Sequence, residues 1–484
     1  MAGIGVRNST AAARGELAAW LTFGACLISV FMQMIDVTIV NTALPDITRD
    51  LAASSSAQLL VISGYSLAFA CTLLTAARLG ALWGRRRVFL VAVVAFTAAS
   101  IWCGMSTGAT ELVIARIVQG IAGGAMAAQT LAILAASFPR SRHPQVFALY
   151  GLAAGGAGMV GPILGGILLT LNLWGLGWHW VFLINLPLGI VAFVLAARFL
   201  HVGAESDGAR LDLGGVVLSA ASLLALLYAL ADVQAHGWRA LSVGIVLAAI
   251  ALGAGFLVYQ RVLIRRGRGP LMRPDLFANR GFAVGSILVT GFFGMFTAFV
   301  FAASITLQDE LHFSALRTGI AMTVFALGAG AGALAAPLLV RRFGVRSLAA
   351  GIALYAGCMA VAAVYLVLTD GAISVALTVV PVFVSGLGVG VFGLQLQPVM
   401  LAGLDQGQMG ETSGLLPTLE QIGNAVGLAV LSTVFFRAHT LGGSIAMFAA
   451  IAVVAAGLAG VTLLLPEPPR HDGTEAGLTD PAPR

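Results

Sequence analysis

The chain is a succession of long apolar runs, about fourteen of them, each near the ~20 residues a helix needs to cross the hydrocarbon of a bilayer. They fall at roughly 17–42, 57–80, 88–107, 111–136, 145–171 and 179–200, then 211–231 and 239–260. The remainder lie at roughly 280–307, 317–340, 347–368, 373–401, 410–436 and 440–465. This pattern predicts an all-α integral membrane protein with the lipid bilayer as its first partner. Composition agrees: only 10% of residues are charged, too few to coat a water-soluble body. Residues 1–16 and 467–484 read as polar tails. The first run is too long for a cleaved leader and contains Asp36.

Several chemistries are excluded. The chain has no lysine, so all 26 basic residues are arginines, and a phosphate-cradling Walker loop lacks its essential side chain. No ATP-binding site is expected. Cys26, Cys71, Cys103 and Cys358 lie in separate apolar runs, which argues against disulfides and metal sites. No nucleophile–base constellation points to an enzyme, and no cofactor is implied. The net charge of +6 reads as a marker of orientation and not of nucleic-acid binding.

Arginine placement tests the span count. With both termini inside, the inner segments hold 21 arginines and the outer loops hold 4 (Arg49, Arg239, Arg317 and Arg437), with Arg116 left inside a span. A wrong count would scramble the two groups, so the positive-inside rule predicts an even number of spans and cytoplasmic ends. A faint repeat adds organisation. Trp83-Gly84-Arg85-Arg86 follows the second span, and Phe343-Gly344-Val345-Arg346 follows the tenth. An offset of eight fits two six-helix bundles, 17–200 and 271–466, separated by an inserted pair and linker at 201–270.

Ionisable groups inside spans are functional candidates by default, because burying each in lipid is costly. Asp36 lies in the first span with Gln33 one turn before it and Asn41 on a neighbouring face. Such a carboxyl can exchange a proton for a cationic ligand, or it can pair with an arginine and pin the helices. Arg116 shares a stripe with Gln119, Gly120 and Gly123 in the fourth span. Proton relay and helix packing both fit it. Glu420 shares a face of the thirteenth span with Pro417 and Asn424, and is a candidate for a central cavity. Gln395 and Gln397 are amides of the twelfth span, of a kind more often used to bond helices together.

The fifth span is nearly free of side chains along one face. Gly151, Gly155, Gly158 and Pro162 recur at steps of four, three and four residues, followed by Gly165 and Gly166. Small residues let helix backbones approach closely in membranes, and the proline invites a bend. Tight packing accounts for this, and so does a seal between bundles that rock against each other.

Taken in order, four segments resemble the major facilitator superfamily, and specifically its fourteen-helix drug:proton antiporters of the EmrB/QacA type. Asp36-Val-Thr-Ile-Val-Asn-Thr-Ala-Leu-Pro45 is similar to the family's first-helix signature. Leu112-Val-Ile-Ala-Arg-Ile-Val-Gln-Gly-Ile-Ala-Gly-Gly124 resembles its fourth-helix motif, whose arginine the family uses in proton coupling. Gly161-Pro-Ile-Leu-Gly-Gly166 resembles the fifth-helix antiporter motif, and Trp180-Val-Phe-Leu-Ile-Asn-Leu-Pro-Leu-Gly189 the start of the sixth helix. The gating loop keeps Gly84, Arg85 and Arg86, but Ala77, Ala81 and Leu82 replace the usual glycine, aspartate and arginine. Loss of that aspartate predicts a bias towards the inward-open state. His179 and Glu420 stand where the family commonly has arginine, and the extra acid favours cationic substrates.

The resemblance implies a bacterial inner-membrane exporter, expected to be monomeric, that moves amphipathic organic compounds outward in exchange for protons. Asp36, Arg116 and Glu420 would couple protons. Gln33, Met34, Asn41, Tyr65, Gln119, Phe299, Gln395, Gln397 and Asn424, with Phe31, would line the substrate cavity. Gly151, Gly155, Gly158, Gly161, Pro162, Gly165 and Gly166 would form the moving interface. Uptake, or export of one metabolite such as a self-made antibiotic, is the alternative on the same fold. A non-transporting sensor is the alternative from another class.

Overall fold

In lipid no water can satisfy an exposed backbone amide, so apolar runs of this length close their own hydrogen bonds as helices. The computed structural model describes residues 2–139, 142–202, 212–268, 270–369, 375–401, 406–437 and 441–466. The expected tail at 467–484 lies outside the described residues, as do Arg140, Arg210, Arg470 and Arg484. The helices are α1 (Ala2–Asp50), α2 (Ser55–Trp83), α3 (Arg85–Met105), α4 (Ala109–Ser137), α5 (His143–Leu171), α6 (Gly177–Phe199) and α7 (Leu213–His236). They continue as α8 (Ala240–Arg265), α9 (Arg280–Ile305), α10 (Ala315–Phe343), α11 (Val345–Thr369), α12 (Val375–Leu401), α13 (Gln406–Arg437) and α14 (Leu441–Thr462).

Two details extend the sequence reading. The segment 2–15 continues α1 as helix; it is rich in alanine and free of proline, which favours helix. The fifth span bends as its proline predicts, with Leu149–Gly158 and Val160–Leu171 meeting at 40°. Pro162 explains where: its ring crowds the carbonyl four residues earlier, that of Gly158.

Helix pairing repeats with an offset of eight. In the first half α1 packs on α5 and α6, and α4 on α2 and α3; in the second, α9 packs on α13 and α14, and α12 on α10 and α11. The halves meet along two seams, α2 against α13 and α5 against α10. The inserted pair α7–α8 lies at the periphery, where α7 touches both α2 and α13. Gly84 and Gly344 turn the chain at equivalent places, with φ of 90° and 60° that side chains rarely adopt.

Candidate functional site

The local sequence of α1 places Asp36 on the face turned into the first half, where α4 supplies Arg116 and Gln119 and α6 supplies Asn185. All four side chains are almost fully buried. The Arg116 guanidinium donates to Asp36 Oδ2 through Nη1. It also donates to Gln119 Oε1 at 2.7 Å and, through Nε, to the Val61 carbonyl of α2 at 3.0 Å. Gln119 Nε2 returns a bond to Asp36 Oδ1 at 2.8 Å. Asn185 Nδ2 approaches the same oxygen at 3.5 Å and donates to Ser100 Oγ at 2.9 Å. The Tyr65 ring lies 4.3 Å from the guanidinium carbon, adding a cation–π contact.

A buried ion pair survives only when the remaining lone pairs and protons are also satisfied, and this network does most of that. Five helices of one half contribute to it: α1, α2, α3, α4 and α6. Both orphaned polar atoms beside the pair, Tyr65 Oη and Asn185 Oδ1, belong to the same cluster. The arrangement can hold a negative charge in a dry site.

On its other faces α1 meets α5 of its own half and residues of the second half. A Cβ at Gly161 would lie 1.9 Å from Thr38 Oγ1, and one at Gly165 3.0 Å from Ile39, so α5 sits directly on α1. A Cβ at Gly166 would lie 2.8 Å from the Ala315 carbonyl, and one at Gly319 2.7 Å from that of Pro162, so α5 also sits directly on α10. Ser304 donates to the Asn41 carbonyl at 2.6 Å and Gln308 to that of Thr42 at 2.9 Å. The contacts of α1 with α5 lie within the first half; those of Gly166, Gly319, Ser304 and Gln308 cross between halves and cluster at the end that bears the α1–α2 turn. Towards the other end, a Cβ at Gly151, Gly156 or Gly158 would meet nothing within 4 Å among the described residues. One glycine face thus splits into a packed half and an open half.

This two-fold helix arrangement is matched by comparison with known proteins. The family model described as Major Facilitator Superfamily matches residues 26–428. The chain belongs to the major facilitator superfamily. It is 34% identical to a protein of Streptomyces coelicolor named "Probable actinorhodin transporter", over 86% of this chain and 72% of that one. It is 30% identical to "Multidrug resistance protein Stp" of Mycobacterium tuberculosis, over 86% of this chain and 75% of that one. The solved structure of an auto-inhibited POT family peptide transporter superposes with a TM-score of 0.65 at 16% identity, covering 92% and 96% of the two chains. The chain is therefore a multi-pass membrane transporter with relatives in drug and antibiotic efflux, and not an enzyme.

The other residues singled out in the sequence fall into separate places in this facilitator fold. Gln33 and Asn41 are buried and donate to carbonyls of their own helix, at 3.1 and 2.7 Å. Tyr65 and Gln119 belong to the shell of the ion pair. Phe31 and Met34 are half-buried against the large apolar cluster shared by both halves. Glu420 is half-buried and accepts from Gln397 Nε2 at 2.5 Å. Tyr150 of α5, in the opposite half, lies within electrostatic range of Glu420. Asn424 accepts from Thr297 at 2.7 Å, bonding α13 to α9, and Gln395 is half-buried. Phe299 packs against Phe325 at 4.9 Å inside the second half. Gly155 lies in α5 before the bend. Arg86 donates to the Ala197 carbonyl of α6 at 2.6 Å, and Arg85 beside it is half-buried.

Asn185 and Ser100 were not among the residues singled out. Both are uncharged, and each becomes notable only because a charge is bonded next to it. A polar residue at the start of the sixth helix was the one available signal.

Proposed function

We propose that this protein is a proton-coupled antiporter that exports amphipathic, preferentially cationic, organic compounds by alternating access. The buried Asp36–Arg116 pair carries the reading. Asp36 with its charge engages Arg116. A proton on Asp36 removes the charge that holds the guanidinium, and frees α4 and α6 to shift against α1. Substrate binds between the halves 17–200 and 271–466, on the side left open at Gly151 and Gly158, where Glu420, Gln397, Phe31 and Met34 offer an acid and adaptable apolar surface. With both termini cytoplasmic, as the arginine distribution supports, the open end faces the cytoplasm. This orientation fits the bias expected from Ala81. The protein acts as a monomer in the inner membrane.

Similarity to the actinorhodin transporter homologue favours a second reading, in which the same machinery exports a single metabolite. Cells loaded with a fluorescent cationic dye, with and without a protonophore, test both. Wild type should show efflux that the protonophore abolishes, and Asp36→Asn should lose it. Full proton-driven efflux by Asp36→Asn refutes the role given to Asp36. Dye retention equal to transporter-free cells favours the single-metabolite exporter.

A further inference from the structure

The second half contains a cavity of its own. It measures about 740 Å³ and is walled by α9, α10, α11, α12 and α14 together with the α9–α10 turn; among the described residues none of the first half lines it. It is therefore separate from the space between the halves, and from the Asp36 network. Its volume lies within the range of sites for drug-sized molecules.

The inner wall is apolar, with Phe299, Met322, Leu366 and Phe448 buried. The hydroxyl of Thr306 already donates to Ser444 at 2.8 Å and that of Ser385 to the Val382 carbonyl at 2.7 Å, so they ask little of an occupant. At the rim, Ile320, Val361 and Val379 are 55%, 57% and 43% exposed, which opens the cavity sideways to the bilayer. One charged side chain, Arg317, stands among the described lining residues. No carboxylate among the described residues comes within salt-bridge distance of it. Arg317 also occupies the first turn of α10, where the Ser314 hydroxyl already caps its amide, so the guanidinium is the group left to meet an anion.

From these features we infer that the cavity is a second binding site, for an anionic amphiphile. The apolar body enters between α10 and α11, and a single acidic group pairs with Arg317 at the membrane surface. This assignment stands independently of proton exchange by Asp36. The ligand chemistry has two sources, a phospholipid of the bilayer or a free long-chain acid.

The purified full chain, tested by native mass spectrometry with equimolar phosphatidylglycerol, oleate, phosphatidylcholine or oleyl alcohol, decides the matter. One molecule of an anionic ligand should be retained at least about fivefold more than its neutral counterpart, equivalent to about 1 kcal/mol. Retention of phosphatidylglycerol alone identifies a bilayer lipid, and retention of oleate alone a free acid; either supports the site. Arg317→Gln should abolish the preference for the anionic ligand, while Ala362→Trp, which fills the cavity, should abolish binding. Arg317 is exposed, so its variant remains informative if the filled cavity fails to fold. Equal retention of charged and neutral ligands, or undiminished preference in Arg317→Gln, overturns the assignment.

Discussion

Removing the guanidinium at residue 116 should be among the most damaging single changes in the first half. Arg116→Met keeps an apolar stem of similar length but deletes three bonds, to Asp36, to Gln119 and to the Val61 carbonyl. Gln119 Oε1 keeps the Cys103 thiol as a donor at 3.5 Å, and Val61 lies within helix α2, so neither is the main loss. The loss is the carboxylate of Asp36, fully buried and left with two amide donors. Breaking a buried pair from one side costs about 3–5 kcal/mol, whereas replacing both partners with apolar groups is often close to neutral. Arg116→Met should therefore cost about 3–5 kcal/mol, and Asp36→Leu combined with Arg116→Met clearly less than the single change. Unfolding of the purified protein in mixed micelles, followed by tryptophan fluorescence, measures each corner of the cycle. A single-variant cost below about 1 kcal/mol, or a double variant equal to the sum of the singles, would refute the reasoning.

Other outcomes follow from close packing. Gly161→Val should destabilise the protein by about 1–3 kcal/mol through the clash with Thr38, whereas Gly158→Ala should leave thermal stability unchanged. Gly319→Ala pushes against the Pro162 backbone and should loosen the α1–α2 end, raising the labelling of cysteines placed there by an impermeant reagent. Gly84→Ala forces a side chain into a positive-φ turn and should lower stability by about 1 kcal/mol, read as a reduced melting temperature. Ala81→Asp should shift accessibility away from the α2–α3 end, which paired cysteine labelling at the two ends would detect.

The spans were legible because length and apolarity are local properties of sequence. Arginine sorting predicts an even count, and the described residues give 13 spans, or 14 with the bent fifth helix taken as one. Asp36 and Arg116 each stood out as charges in lipid, but the bond between them joins positions 80 residues apart and depends on how α1 faces α4. Spacing alone could not say whether that acid pointed to a partner or to an open chamber. The glycines of α5 looked like one continuous surface. Only the bend caused by Pro162 divides them, sending Gly161, Gly165 and Gly166 against neighbours and leaving Gly151 and Gly158 open. The cavity of the second half left no pattern at all. It is made by gaps between helices, and each of its walls reads as an ordinary span.

Helix α1 joins the chemistry to the motion in the proposed cycle. Asp36 is held from one side by α4 and α6. Within two turns the same helix sets Thr38 against Gly161 of α5, and its carbonyls at Asn41 and Thr42 accept bonds from Ser304 of α9 and from Gln308 just beyond it. Pro45 has no amide to donate to the Asn41 carbonyl, so that carbonyl takes its bond from Ser304 of the other half, on the same helix that carries Asp36. Coupling between distant sites requires one element whose arrangement both sites bias. Here the candidate element is a single helix with the acid on one face and the seam on the others. Near-contact glycines make the seam intolerant of partial displacement, which favours two packed arrangements over a continuum of loose ones.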